Sequence, residues 1–166
     1  MSEMNKELKR YFKKVNELRF SKENGLLSDK YIIVPCTEME YLELLEPEKI
    51  KSYISDYKEP SLNLKQLSNT STEGAELEVF YIDSGDSRNS LFAVIKGQNH
   101  CSVISKRYLD MVTNDKPRAY KYKSNTRVGG VRIENKDGEF VGFIMPVRLT
   151  DKLYEKIESL VDAAGK

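Results

Sequence analysis

The apolar positions of residues 3–20 repeat at the spacing of an α-helix. Five of them are separated by three or four residues and so fall on one helical face. They are Met4, Leu8, Tyr11, Val15 and Leu18. The other faces carry six lysines and arginines against three glutamates. Asn24-Gly25 then favours a helix end or a turn. The pattern predicts that residues 1–27 form an amphipathic helical extension ahead of the main domain.

Residues 28–149 predict a domain in which strands alternate with short helices. Thr37 and Glu40 have the spacing of a helix capping box, and Pro47 favours the start of a second helix. Another helix is expected after Ser105. Strands are predicted at residues 31–34, 62–67 (an edge strand), 76–82, 91–96, 100–104, 118–123, 127–134 and 139–149.

Residues 31–97 and 100–149 thus share one order of elements, a strand, a helical region and three strands. This order predicts an α+β domain in which an antiparallel sheet carries its helices on one face. Thr150 has the character of a helix N-cap, so residues 150–166 are expected to form a C-terminal helix.

The composition argues against an enzyme. The 166-residue chain holds one histidine, two cysteines and no tryptophan. His100 and Cys101 are adjacent, so on a strand their side chains point to opposite faces and cannot form a nucleophile–base pair. Asp83 and Asp86 flank a glycine without the acidic ladder of a calcium loop. We therefore expect no catalysis, no cofactor and no metal.

The same counts favour a cytoplasmic protein without a membrane partner. No apolar run approaches the ~18 residues of a transmembrane helix. The charged N-terminus lacks the apolar centre of a secretory signal, and two cysteines do not suggest a disulfide scaffold. Because the net charge is only +1, an electrostatic partner must be met by a local patch.

Two segments of the second half resemble a known family. Residues 104–112 (ISKRYLDMV) are similar to the strand and helix start of the last domain of bacterial sliding clamps, the processivity subunits of the replicative polymerase. Residues 141–149 (VGFIMPVRL) are similar to the Met-Pro-x-Arg-Leu ending of that family. The resemblance covers residues 100–149 well and 31–97 weakly. It implies a single sliding-clamp-like domain built from two β-α-β-β-β halves.

In sliding clamps, that ending helps to line a cleft for short peptides of polymerases and of the clamp loader. The resemblance therefore implies a partner-binding site, which a C-terminal helix could cover. Its residues are Met145, Pro146, Val147, Arg148 and Leu149. The implied function is a non-catalytic binding or regulatory role in DNA replication, or in a phage or other mobile element. The implied partner is a replication or host protein.

Direct nucleic-acid binding is the alternative hypothesis. Residues 116–136 hold seven lysines and arginines, and the acidic residues there or directly before are Glu134 and Asp115. Tyr120 and Tyr122 alternate with lysines there, which suits a strand that contacts both phosphates and bases. In a clamp, the helix at residues 106–107 would also face DNA. The candidate residues are Lys106, Arg107, Lys121, Lys123 and Arg127. The competing interpretation is a solvated sheet face whose tyrosines lie in the core.

The N-terminal helix leaves three outcomes open. It can pack on its own domain, pair with a second copy of the chain, or dock on another protein. The candidate contact residues for a homo-oligomer or a partner are Leu8, Tyr11, Val15 and Leu18.

Overall fold

The computed structural model describes residues 4–61, 63–68, 78–83, 91–97, 100–124 and 129–164. The helices in these ranges are α1 (Lys6–Lys13), α2 (Glu38–Leu44), α3 (Pro47–Asp56), α4 (Leu64–Ser68), α5 (Lys106–Thr113) and α6 (Asp151–Ala164). The strands are β1 (Arg19–Ser21), β2 (Leu26–Ser28), β3 (Ile32–Pro35), β4 (Glu78–Asp83), β5 (Leu91–Gly97), β6 (His100–Ser105), β7 (Lys121–Lys123), β8 (Val131–Glu134) and β9 (Phe140–Ile144). The predicted α+β class is confirmed.

The strands form two antiparallel sheets. One has the order β1-β2-β3-β9-β8-β7, and the other has the order β4-β5-β6. At the centre of the larger sheet, Ile32 lies opposite Ile144 and Ile33 lies opposite Phe143. This pairing joins a strand from the beginning of the domain to one from its end.

Side chains of β3 alternate between the two faces of the larger sheet. Ile32 and Val34 belong to the main core, together with Leu109 of α5. Ile33 belongs to a smaller cluster on the other face, with Leu64 of α4. Helices therefore cover both faces of the larger sheet, and not one face as predicted.

The three-stranded sheet lies between the main core and α6. Ile95 and Ile104 face the main core, whereas Val103 packs with Ile157 and Val161 of α6. An ion pair between Lys96 and Asp162 also connects β5 to α6. The predicted C-terminal helix thus completes a layer of the fold by burying the second face of the small sheet.

The N-terminal helix is shorter than predicted. Asn5 caps α1 by accepting a hydrogen bond from the backbone N–H of Leu8, and the helix ends at Lys13. The chain then forms the β1–β2 hairpin, in which Phe20 pairs with Leu27 and both side chains are buried. This part of the chain therefore contributes to the main core and to the larger sheet. The sequence did not predict β1 and β2, because strands of three residues carry too little periodicity to be recognised.

The predicted edge strand at residues 62–67 is wrong for the residues described there. The side chain of Asn63 accepts a hydrogen bond from the backbone N–H of Gln66, and α4 follows. Helical spacing directs Leu64 and Leu67 to the same apolar cluster. Among the residues that the structure describes, the first half therefore runs strand, three helices and two strands, whereas the second half keeps the predicted strand, helix and three strands.

Gly142 lets α5 approach the larger sheet closely. A Cβ atom at this position of β9 would lie 2.6 Å from Cγ1 of Val112 and 3.5 Å from the carbonyl oxygen of Ile33. Because Val112 is buried, it cannot turn into solvent to make room. The absence of a side chain at Gly142 thus sets the distance between α5 and the sheet.

We predict that Gly142→Ala lowers the free energy of unfolding by about 1–3 kcal/mol, the usual cost of overpacking a core. Urea denaturation measures this loss. In the double variant with Val112→Ala, the added methyl gains space. The double variant should therefore lose less stability than the sum of the losses in the two single variants. Strict additivity would show that the close approach does not involve Val112.

Candidate functional site

The segment at residues 145–149 connects the two sheets. The backbone N–H of Met145 donates to the carbonyl of Tyr31 (2.8 Å), and that of Val147 donates to the carbonyl of Val103 (2.8 Å). The predicted strand 139–149 therefore ends at Ile144, and the following residues cross from the larger sheet to β6.

The five residues of the implied peptide cleft have different environments. Met145 packs with the cluster around Leu64, and Leu149 packs with the cluster beneath α6. Pro146 and Val147 are half-buried, and Arg148 is exposed. The two ends of the segment thus pack into two separate apolar clusters, and α6 shares one of them.

The basic strand β7 exposes few of its predicted contact groups. Tyr122 is buried, and its hydroxyl donates to the carbonyl of Pro117. Lys121 is exposed, whereas Lys123 pairs with Glu134 through Nζ and Oε1 at 2.7 Å. Arg127 lies outside the described residues. Tyr122 therefore follows the competing interpretation, in which the tyrosine belongs to the core.

Glu134 is the buried centre of an ion-pair cluster on β7 and β8. Its second oxygen accepts from Nε of Arg132 at 2.8 Å. Arg132 also donates to the carbonyl of Ser68 (3.0 Å) and lies 4.5 Å from the ring centre of Phe140. Burial alone would raise the pKa of Glu134, but its hydrogen bonds from Arg132 and Lys123 and their positive charges outweigh burial and hold the pKa below its usual value.

We predict that this cluster makes stability depend on acid pH. A carboxyl whose pKa is lower in the folded state stabilises the fold above its unfolded pKa of ~4.3 and loses that effect as pH falls through the folded value. Glu134→Gln should lower the free energy of unfolding at pH 7 by about 3 kcal/mol, the lower end for breaking a buried pair. Urea denaturation at neutral and acid pH should also show a weaker pH dependence. An unchanged pH dependence would contradict this role.

A groove of about 640 Å³ separates α1 from α5. The two helices are connected there by the side chain of Asn5, which donates to the carbonyl of Met111 (2.8 Å). Four positively charged side chains line the groove, two from α5, one from α1 and one directly after the end of α1. They are Arg10, Lys14, Lys106 and Arg107. Glu7, Asp110 and Asp115 also line it, and Asp110 pairs with Lys106.

A row of three tyrosines starts at this groove, and Tyr11 is the member that lines it. The ring of Tyr31 stacks on that of Tyr108 with centres 5.7 Å apart and planes at 17°. Tyr108 in turn meets Tyr11 edge to face at 5.7 Å. The guanidinium of Arg107 lies 5.6 Å from the ring centre of Tyr11. Aromatic rings and cations thus form one continuous surface.

Buried Asp29 fixes the backbone at one end of this row. One carboxylate oxygen accepts from the backbone N–H groups of Tyr31 (2.8 Å) and Ile32 (3.0 Å). The other oxygen accepts from the hydroxyl of Tyr11. Burial raises the pKa of the Tyr11 hydroxyl, and its hydrogen bonds to Asp29 and Tyr108 raise it further. Tyr11 therefore stays protonated and keeps donating to Asp29.

The N-terminal helix packs on its own domain, which was one of the three outcomes left open. Leu8 is buried in the main core, so it is not available to a second copy or a partner. Tyr11 and Leu18 pack against the same core from its edge, and Val15 is half-buried beside the groove.

Two of the residues that line the groove are predicted as nucleic-acid contacts from the sequence alone. Lys106 and Arg107 were candidates, and the structure brings them together with Arg10 and Lys14. The last two, with Tyr31 and Tyr108, were missed as site residues. The lysines and arginines in and directly after α1 are visible in the sequence, but no local pattern shows that they lie beside α5.

Among the described residues, no helix combines the length and the apolar character that a membrane crossing requires. No group of three or more metal-ligating side chains occurs in the same ranges. Comparisons with protein-family models, with curated proteins and with solved structures found no match.

Proposed function

We propose that this protein is a non-catalytic nucleic-acid-binding protein that contacts phosphates along the groove between α1 and α5. The observation that carries the proposal is the convergence of Arg10 and Lys14 with Lys106 and Arg107 at one groove. Several cations along one groove can contact successive phosphates of one nucleic-acid backbone.

Helix α5 adds to the positive potential of the groove. Lys106 and Arg107 occupy its first turn, where the helix dipole is positive. Ser105 precedes them and makes no capping hydrogen bond with its side chain. Asp110 holds Lys106 at the groove. This pairing fixes the position of the lysine, but the negative charge of Asp110 weakens the attraction of Lys106 for a phosphate. The proposal therefore relies most on Arg10, Lys14 and Arg107.

The groove has better support than the other two candidate surfaces. On β7, Tyr122 is buried and Lys123 is paired with buried Glu134. At the implied peptide cleft, Met145 and Leu149 pack into apolar clusters. A setting in DNA replication or in a mobile element rests on the sliding-clamp resemblance alone and is part of the proposal in that sense.

We predict that Arg10→Glu combined with Arg107→Glu weakens binding of a fluorescent oligonucleotide of about 20 nucleotides by tenfold or more. Fluorescence anisotropy between about 50 and 200 mM salt measures this. The slope of log affinity against log salt should fall by about 1.4, because each phosphate contact contributes about 0.7 on a single strand. Lys51→Glu combined with Lys65→Glu is the matched control, since it makes the same charge change at exposed positions outside the groove and outside residues 116–136.

Equal losses in the two double variants would show that only net charge matters and would reject a groove-specific site. Lys121→Glu distinguishes binding at the groove from binding at β7, because the side chain of Lys121 is exposed on that strand. A loss confined to Lys121→Glu would assign binding to β7.

A further inference from the structure

We infer that the groove takes a single-stranded segment of nucleic acid and that the ring of Tyr31 stacks on one unpaired base. This inference rests on the proposed function and adds the ligand class and a positioning contact. The observations that carry it are the exposure of Tyr31, the fixed backbone that holds it and its ring contact with Tyr108, which in turn contacts Tyr11 at the groove.

Tyr31 offers an accessible aromatic face. Its exposed fraction is 53%, which is unusual for a large ring that also stacks on a neighbour. The Tyr108 ring lies nearly parallel to it with the centres 5.7 Å apart, and this contact leaves more than half of Tyr31 exposed. Every nucleobase has a flat face that can stack on such a ring, so this contact suits many sequences.

The backbone around Tyr31 is held on both sides. Asp29 accepts from its N–H, and its carbonyl accepts from the N–H of Met145. The preceding residue, Lys30, has φ of 136°, in a region that residues other than glycine rarely adopt. Such backbone strain persists only when surrounding contacts enforce it, and it is frequent at binding sites. The backbone that carries the ring is therefore fixed before a ligand arrives, which reduces the entropy lost on binding.

The ring is also connected to the cations. Tyr108 touches both Tyr31 and Tyr11, and Tyr11 and Arg107 both line the groove. A strand that runs from the groove along these rings would bring a base to the Tyr31 ring. In a duplex the bases are paired and stacked on each other, so no base face is free. An acidic peptide would use the cations and would have no base for the ring.

A tryptophan at position 31 reports stacking directly. The chain contains no tryptophan, so Tyr31→Trp introduces a single indole whose emission belongs to this site. We expect oligo(dT) to quench that emission in parallel with binding measured by anisotropy. An abasic oligonucleotide of the same length, which has the phosphates but no bases, should bind with little quenching. Unchanged emission during oligo(dT) binding would overturn the inference.

Tyr31→Leu tests the energetic contribution of the ring. We expect about tenfold weaker binding of oligo(dT), because stacking of one base on an aromatic side chain is worth about 1–3 kcal/mol. Affinity for the abasic strand should stay within about twofold of wild type. Tyr31→Phe should retain wild-type affinity. Ile54→Ala is the matched control, since it removes an apolar side chain that is 74% exposed on α3. Equal affinity of Tyr31→Leu and wild type for oligo(dT) would overturn the inference.

The two proposals fail in different ways. If Arg10→Glu with Arg107→Glu abolishes binding but Tyr31→Leu does not weaken it, the groove binds phosphates and the stacking contact is absent. Duplex binding as tight as oligo(dT) binding would also reject the single-stranded class. If wild-type protein binds polyglutamate and neither nucleic acid, the site serves an acidic protein and both proposals are wrong.

Discussion

The antiparallel pairing of β3 with β9 is the contact on which the rest of the structure depends. Ile32 and Ile33 lie opposite Ile144 and Phe143, and this register joins the β1–β2 hairpin to β8 and β7 in one sheet. The face of that sheet that carries Ile32 packs against the main core, which contains residues of α1 from the first half of the chain and of α5 from the second. The groove between these helices therefore exists only because two distant strands pair at the centre of the sheet.

Elements with strong local signals could be predicted from the sequence. The capping box of Thr37 and Glu40 forms at the start of α2, and Pro47 begins α3 as expected. The region at residues 14–28 could not be predicted, because β1 and β2 have three residues each and gain their conformation from pairing, β1 with β2 and β2 with β3. At α4, the capping side chain of Asn63 outweighs a leucine spacing that also fits a strand.

The candidate site could be predicted only in part, because its residues come together through the fold. Lys106 and Arg107 were identified, whereas Arg10 on α1 resembled the solvated face of any amphipathic helix. Alternation on β7 separated tyrosines from lysines but did not show which face is buried. The partner of Lys123 was also hidden, since Glu134 reaches it through the β7–β8 pairing. The roles of the cations on α1 and on β7 therefore depend on tertiary contacts that the local sequence does not show.

The crossing at residues 145–147 has a consequence for the order of folding. Met145 supplies a backbone donor beside β3, and Val147 supplies one to the edge strand β6. Neither sheet has all of its backbone partners until the ribosome has synthesised these residues. Contacts between distant parts of a chain also form slowly, because the intervening loop must close first. The two sheets are therefore expected to be completed late and together, and not one after the other as the chain emerges.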